Sequence, residues 1–103
     1  MIKEHKTWLV KFYENRNWFQ YSTFIRLNFL FEEVGELAQC IRAIELGRDH
    51  PGEEKQTQSE LNAHLKEELA DVLDQVLILS EKYNIDLDDL AEQSQKKLKQ
   101  RFN

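Results

Sequence analysis

Glycine and proline, the residues that most often end a helix, are nearly confined to one segment of this chain. The 103 residues include three glycines and one proline, and two of those glycines and the proline lie within residues 47–59. Outside this segment, apolar residues recur at helical spacing, without the alternation typical of a half-buried strand. The sequence therefore predicts a single all-α domain over residues 1–103, with one long loop at residues 47–59.

The apolar periodicity divides the chain into four predicted helices, the number typical of a four-helix bundle. They cover residues 3–16, 22–46 and 57–83, and the segment that follows Asp86. Ser22 or Thr23 suits the N-cap of the second helix and Asp86 that of the fourth, because their side-chain oxygens can accept a backbone N–H bond. Gly47 suits the end of the second helix, because glycine readily adopts the left-handed conformation found there.

The net charge and the cysteine content of the chain limit the functions and the cellular location that we expect for it. The net charge is −5, whereas sequence-independent binding to DNA or RNA depends on Lys and Arg, so no nucleic-acid polymer is an expected partner. Cys40 is the single cysteine, which fits a reducing cytoplasm, and we expect it to be a small buried hydrophobe. No apolar run approaches the roughly 20 residues of a membrane span. We expect a cytoplasmic protein that does not bind membranes.

The third predicted helix is apolar almost all the way round between Ala70 and Leu79. A helix with that pattern is buried on two faces. A domain of this size has little core with which to cover a second face, so we expect another subunit to cover it, with helices packing across a subunit interface. Leu73 and Leu77 are the predicted contacts between subunits.

Two glutamates interrupt the apolar face of the second helix. At about 100° per residue, Glu33 is flanked on both sides by apolar residues, and Glu36 lies about 60° from it. Glu32 lies further out, where water can solvate it. Because burying an unpaired carboxylate is costly, Glu33 and Glu36 need a partner.

The third helix carries a matching pair of acids. Glu68 and Asp71 are three positions apart, so they point to one side of one turn, at the edge of the apolar stripe. If the two helices pack side by side, four carboxylates converge and repel one another. A divalent cation removes this repulsion, and carboxylate oxygens suit Mg²⁺, which completes its shell with water and substrate phosphates.

Two other interpretations stay open at this point. The acids can be solvated helix surface paired with Lys or Arg, which is the common role of a single Glu-x-x-Glu. A di-iron carboxylate bundle requires Glu-x-x-His, and none of His5, His50 and His64 has a glutamate three residues before it. His64 falls on the same side of its helix as Glu68, where we expect a surface histidine.

The segments EEVGELAQ (residues 32–39) and EELADVL (residues 67–73) together resemble the MazG-type all-α nucleoside triphosphate pyrophosphohydrolases. The family signature is E-E-x-x-E, a spacer and E-x-x-D, and both blocks occur here in that order on consecutive predicted helices. The resemblance covers nearly the whole chain. It implies Mg²⁺-dependent hydrolysis of a nucleoside triphosphate to the monophosphate and pyrophosphate, with Mn²⁺ able to substitute, in a dimer or tetramer.

The resemblance also implies roles for individual acids. Glu33, Glu36, Glu68 and Asp71 match the family's metal ligands. Glu32 matches the extra acid that orients or activates water in such sites. Glu32 and Glu33 are therefore the candidate catalytic residues.

Three further residues are candidates for binding the substrate. Basic residues of the last helix contact phosphates in the family, and Lys97 and Arg101 match them, although Leu98 stands where the family often has asparagine. The segment NRNW before the second helix resembles one that lines the base pocket of relatives, so Trp18 can stack on a base. The alternative function is a catalytically silent helical module for dimerisation.

Overall fold

A computed structural model describes residues 1–47 and 55–102 of the chain. Its helices are α1 (Ile2–Asn15), α2 (Thr23–Leu46), α3 (Gln58–Lys82) and α4 (Leu87–Phe102). The described residues contain no strand, so the all-α prediction is confirmed, and each helix end lies within one or two residues of its predicted position. The predicted loop at residues 47–59 lies partly outside the described residues.

The ends of α2 and α3 follow from the sequence. The Ser22 Oγ accepts a hydrogen bond from the Ile25 N–H at 3.3 Å, and the Thr57 Oγ1 accepts one from the Glu60 N–H at 3.1 Å. Each bond satisfies a donor that the first turn of a helix leaves unpaired. Gly47 follows α2 with a φ of 72°, a conformation that glycine adopts without the cost of a Cβ clash.

Helices α2 and α3 pack along each other, and α1 packs against α3. Arg26, early in α2, contacts Gln75, late in α3. Glu36, later in α2, interacts with Glu68, earlier in α3. The two helices therefore run antiparallel. Residues early in α2 face residues late in α3, and residues later in α2 face residues earlier in α3.

The apolar core lies between α1 and the C-terminal half of α3. Leu9 and Tyr13 of α1 pack with Leu77 and Ile78 of α3, and the two α3 residues are almost fully enclosed. The prediction that Leu77 contacts a second subunit is therefore wrong, because α1 of the same chain already covers it. Leu73 is 40% exposed, so it remains a predicted subunit contact.

The apolar stripe of α3 is less buried than its periodicity indicates. Leu69 and Val76 are 50% and 37% exposed, whereas Glu68 and Gln75 are buried on the side towards α2. The polar edge of the stripe, rather than its centre, thus faces the neighbouring helix. The reason is that α2 presents its own polar residues, Arg26 and Glu33, to the same interface.

Helix α4 follows a tight turn and attaches mainly through its first residues. Asn84 adopts a φ of 56°, and the Asp86 Oδ1 accepts a hydrogen bond from the Asp88 N–H at 3.3 Å. The Lys3 Nζ lies 2.6 Å from the Asp88 Oδ2. None of the described residues of α4 is buried. Within the described residues, no helix combines the length and the apolar content that crossing a membrane requires.

Candidate active site

Four carboxylates from two helices meet at the centre of the α2–α3 interface. Glu33 and Glu36 of α2, with Glu68 and Asp71 of α3, each offer an oxygen such that all four oxygens lie within 4.8 Å of one another. The three-residue spacing puts each pair on one turn, and the antiparallel packing sets the two turns opposite each other. We call these four residues the carboxylate cluster.

Part of this cluster is buried. Glu68 is only 7% exposed and Glu33 is partly buried, whereas Glu36 is exposed at the surface. The Oε2 atoms of Glu33 and Glu68 are enclosed and have no hydrogen-bond partner among the described residues. An enclosed carboxylate oxygen without a partner is costly, so the fold retains these atoms at the expense of stability.

Burial and repulsion between neighbouring acids raise the pKa of three of the four acids in the cluster. Burial raises the pKa of Glu33 to about 7, and repulsion from Glu36, Asp71 and Glu68 adds to the effect. Burial also raises the pKa of Glu68 and of Asp71, again with contributions from neighbouring acids. A lysine or arginine in the cluster would lower these pKa values instead. The arrangement therefore favours a bound cation.

One histidine lies against the cluster. The His64 Nε2 is 3.2 Å from the Glu68 Oε1, and protonated His64 acts to lower the pKa of Glu68. The imidazole side chain is 46% exposed, as expected for a surface histidine. Its position one helical turn before Glu68 accounts for the contact.

An open cleft lined mainly by aromatic residues adjoins the cluster on the side of α1. Its volume is about 360 Å³, within the range of small-molecule sites. We call it the aromatic cleft; it is lined by Tyr13, Trp18, Tyr21, Arg26, Phe29, Glu33 and Gln75. Trp18 is 39% exposed, and its ring meets Tyr13 edge to face with centroids 5.5 Å apart. Glu33 belongs to both the cleft and the cluster, so Trp18 shares a cavity with the carboxylates.

A second cleft lies on the opposite side of the cluster. Its volume is about 370 Å³, and its lining is largely polar. We call it the polar cleft; it is lined by Glu36, Gln39, Cys40, Arg42, Ala43, Gln56, His64 and Glu68. Cys40 is 4% exposed, so its prediction as a small buried residue is confirmed, and burial raises the pKa of its thiol.

Comparison with known proteins identifies the family. The family model of the MazG nucleotide pyrophosphohydrolase domain matches residues 23–103, which include the whole carboxylate cluster. The chain belongs to the MazG family. It is also 42% identical over 101 residues to the uncharacterized protein YvdC of Bacillus subtilis (strain 168), covering 98% of this chain and 95% of that one. No solved structure matches the chain.

The MazG match begins at Thr23, the first residue of α2, so it leaves out α1 and Trp18. The similarity to YvdC extends over nearly the whole chain and includes this N-terminal region. The aromatic cleft is thus built partly from residues within the family domain and partly from residues before it.

Three of the residues predicted from the sequence lie outside the cluster and the two clefts. Glu32 is exposed on α2 and is not one of the four converging acids. Lys97 and Arg101 are exposed on α4 and do not line either cleft in the described part of the chain. The reason is that α4 attaches by its first turn, so its basic end does not lie along the α2–α3 interface within one protomer.

Among the residues of the aromatic cleft that the sequence did not predict, Arg26 is the charged one. It is only 3% exposed, and its Nη1 donates to the Gln75 Oε1 at 3.4 Å. The signal was present in the sequence, since Arg26 is a charged residue within the apolar run FIRLNFLF, seven positions before Glu33. Seven residues are about two helical turns, so Arg26 and Glu33 share one face of α2.

Proposed function

We propose that this MazG-family protein is a Mg²⁺-dependent nucleotide pyrophosphohydrolase. It would hydrolyse a nucleoside or deoxynucleoside triphosphate to the monophosphate and pyrophosphate, acting in the cytoplasm to remove unwanted nucleotides. The carboxylate cluster is the observation that carries the proposal, because four converging acids, three of them with raised pKa values, are an unfavourable arrangement without a cation.

The cluster fits a hard divalent ion. Glu33, Glu36, Glu68 and Asp71 would hold Mg²⁺, with Mn²⁺ able to substitute, since all four supply oxygen donors. The enclosed oxygens of Glu33 and Glu68 lack hydrogen-bond partners among the described residues, so metal binding would satisfy them. When bound, the ion supplies neutralisation of phosphate charge and a lower pKa for the attacking water.

Glu33 and Glu32 are the proposed catalytic acids. Hydrolysis joins a water oxygen to a phosphorus of the scissile anhydride, while the bridging oxygen leaves with the departing phosphate group. The water must give up a proton as it attacks. Glu33 would act on this water as a ligand of the metal, because a bound cation would lower its pKa from the value of about 7 that it has in the metal-free site. Glu32, exposed beside it, is proposed to orient the water.

The aromatic cleft provides a place for the nucleoside. Trp18 can stack on the base, as aromatic side chains do on any base, while the phosphates reach the carboxylate cluster at Glu33. We assign Lys97 and Arg101 to the phosphates. Because both lie on the exposed end of α4, this assignment requires them to approach the site from another protomer of an oligomer.

A homodimer or tetramer is supported by the apolar surface of α2 and α3. Phe24, Phe31 and Val34 of α2 are 80%, 63% and 44% exposed, and Leu69 and Leu73 of α3 are 50% and 40% exposed. Extended apolar surface on a small soluble domain commonly marks a protein–protein contact. Sedimentation at micromolar concentration tests this part: a fully active monomer contradicts it.

Pyrophosphate release tests the proposed reaction. The eight common ribo- and deoxyribonucleoside triphosphates should be screened with Mg²⁺, with Glu36→Gln and Asp71→Asn as site variants. Glu45→Gln, an exposed glutamate near the end of α2, is the matched control. We expect release by the wild type and the control and none by the site variants.

Calorimetric titration with Mg²⁺ separates the enzyme from a catalytically silent dimerisation module. The proposal predicts metal binding that is lost in Glu36→Gln and Asp71→Asn. A silent module would show no carboxylate-dependent binding and no turnover of any nucleotide. That combination of results would reject the proposed function.

A further inference from the structure

Arg26 is a buried cation that lies among aromatic rings. It is 3% exposed, and among the described residues no carboxylate forms an ion pair with it. Its guanidinium carbon instead lies 4.6 Å from the ring centroid of Phe29, 5.2 Å from that of Tyr13 and 5.6 Å from that of Tyr21. These distances suit cation–π attraction, which partly offsets the cost of burying the charge.

The guanidinium is held in place but is not saturated with hydrogen bonds. The Gln75 Nε2 donates to the Tyr13 hydroxyl at 3.2 Å, which turns the Gln75 Oε1 towards Arg26. Nη1 donates to that oxygen, and Nε is enclosed without a partner. Nη2 makes no hydrogen bond to the described residues. An arginine has five N–H donors, so most of its capacity is unused.

Arg26 lies at the end of the aromatic cleft that is furthest from the metal ligands. Arg26 and Glu33 both line the cleft and are seven residues apart on α2, a rise of about 10 Å. A nucleotide with its phosphates at Glu33 and its base against Trp18 would therefore direct the edge of the base at Arg26.

We infer that Arg26 is a specificity residue that selects oxopurine nucleotides, whose base (guanine or hypoxanthine) presents a carbonyl oxygen to the cleft. A guanidinium donates hydrogen bonds and accepts none, and its two terminal nitrogens match adjacent acceptors such as O6 and N7 of an oxopurine. Adenine presents an amino donor at the same position. That donor would face a positive charge, and only N7 would remain to accept a hydrogen bond from Arg26. The inference rests on the proposed function, which sets the orientation of the nucleotide in the cleft.

A matched pair of substrates tests the selection without any mutation. Hypoxanthine carries an oxygen at position 6 where adenine carries an amino group, so dITP and dATP compare the two directly. We expect kcat/KM for dITP to exceed that for dATP by roughly tenfold or more, the size of one good arginine–base contact. Equal values, or a preference for dATP, would overturn the inference.

Substitution of Arg26 tests whether this residue is the cause. Arg26→Met keeps much of the length and the apolar stem but removes every donor. It should reduce the ratio of dITP to dATP turnover to within about threefold, while a purely structural role would lower both rates and leave the ratio unchanged. Circular dichroism checks that the variant is folded. If Arg26→Met is unfolded, Arg26→Lys is used in its place. Lysine keeps the positive charge over the rings but lacks the two terminal nitrogens of the guanidinium, so this variant should also lower the ratio.

Binding without hydrolysis separates this inference from the proposed function. Guanosine and adenosine 5′-(α,β-methylene)triphosphates, titrated by calorimetry with Mg²⁺, should bind the wild type with the same preference for the oxopurine. If that preference is found but no triphosphate is hydrolysed, the inference stands and the proposed reaction is wrong. If hydrolysis is found but neither rate nor binding depends on the 6-substituent, the inference alone is wrong. If neither analogue binds and no triphosphate is hydrolysed, both fail.

Discussion

Burial has opposite effects on stability in two stretches of α3. Around Leu77 and Ile78, apolar side chains are enclosed by α1, and burial stabilises the fold. Around Glu68 and Asp71, acids are gathered against those of α2, and burial raises their pKa values. We call these the core stretch and the carboxylate stretch. They lie only about two turns apart on one helix, so neighbouring turns of α3 serve stability and the proposed activity.

The largest expected effect is on activity in the carboxylate stretch. Glu68→Gln keeps the shape of the side chain but removes a proposed metal ligand. Pyrophosphate release should fall roughly a thousandfold or more, since metal charge stabilisation contributes several kcal/mol to phosphoryl transition states. The melting temperature of the metal-free protein should rise, because one of four clustered charges is removed.

Glu67→Gln is the control for this variant. Glu67 adjoins Glu68 in the chain but is exposed and lies outside the cluster. The Glu67→Gln variant should release pyrophosphate at a rate within a few-fold of the wild-type rate. Near-wild-type turnover by Glu68→Gln would contradict the metal assignment.

The core stretch should respond in stability. Leu77→Ala removes an almost fully buried side chain, and such truncations typically cost about 2–5 kcal/mol of unfolding free energy. Urea denaturation measures the loss. Leu73→Ala, on the same helix but 40% exposed, should cost less than about 1 kcal/mol within a protomer. Equal costs for the two variants would show that a subunit contact, rather than α1, decides burial on this helix.

A smaller effect is expected at the aromatic cleft, which lies between the two stretches. Trp18→Ala should raise KM roughly tenfold, since stacking of one base on an aromatic side chain contributes about 1–3 kcal/mol. Trp8→Ala is the matched control, because Trp8 is 58% exposed on α1 and does not line the cleft. Steady-state kinetics on the preferred triphosphate compare the two. The same KM for both variants would remove Trp18 from the binding site.

The smallest effect concerns the pH dependence of stability in the metal-free protein. Glu33 has a pKa of about 7 in the folded protein and 4.5 as the ordinary value, so the folded state holds its proton to higher pH than the unfolded state. The free energy of unfolding should therefore fall as the pH rises from about 4.5 to about 7, and then level off. Glu68 and Asp71 act in the same direction.

Thermal melting at pH 5 and pH 8 measures this dependence. The melting temperature should be lower at pH 8 by a few degrees, and Glu33→Gln should reduce the difference. Added Mg²⁺ should stabilise the wild type more at pH 8 than at pH 5, because the ion binds deprotonated carboxylates. A melting temperature that rises between pH 5 and pH 8 in the metal-free wild type, with no change in Glu33→Gln, would contradict the assigned pKa.

Much of the fold could be predicted because its determinants are local. Ser22, Gly47 and Thr57 set helix ends through bonds and backbone conformations within a few residues. The pairs Glu33 with Glu36 and Glu68 with Asp71 are placed on single turns by helical spacing alone. Long-range contacts are less predictable from the sequence. Leu77 is predicted to contact a second subunit whereas α1 covers it, because periodicity shows that a face is apolar but does not show which element covers it.

The sequence by itself determined that the chain forms four helices and that two of them carry acid pairs at a fixed spacing. Tertiary structure decided which residues meet across the α2–α3 interface. It placed the four carboxylates together, buried Arg26 among aromatic rings, and left Lys97 and Arg101 on the exposed end of α4. The physical reason is that helix formation follows from interactions within about four residues, whereas side-chain burial depends on how separate helices pack.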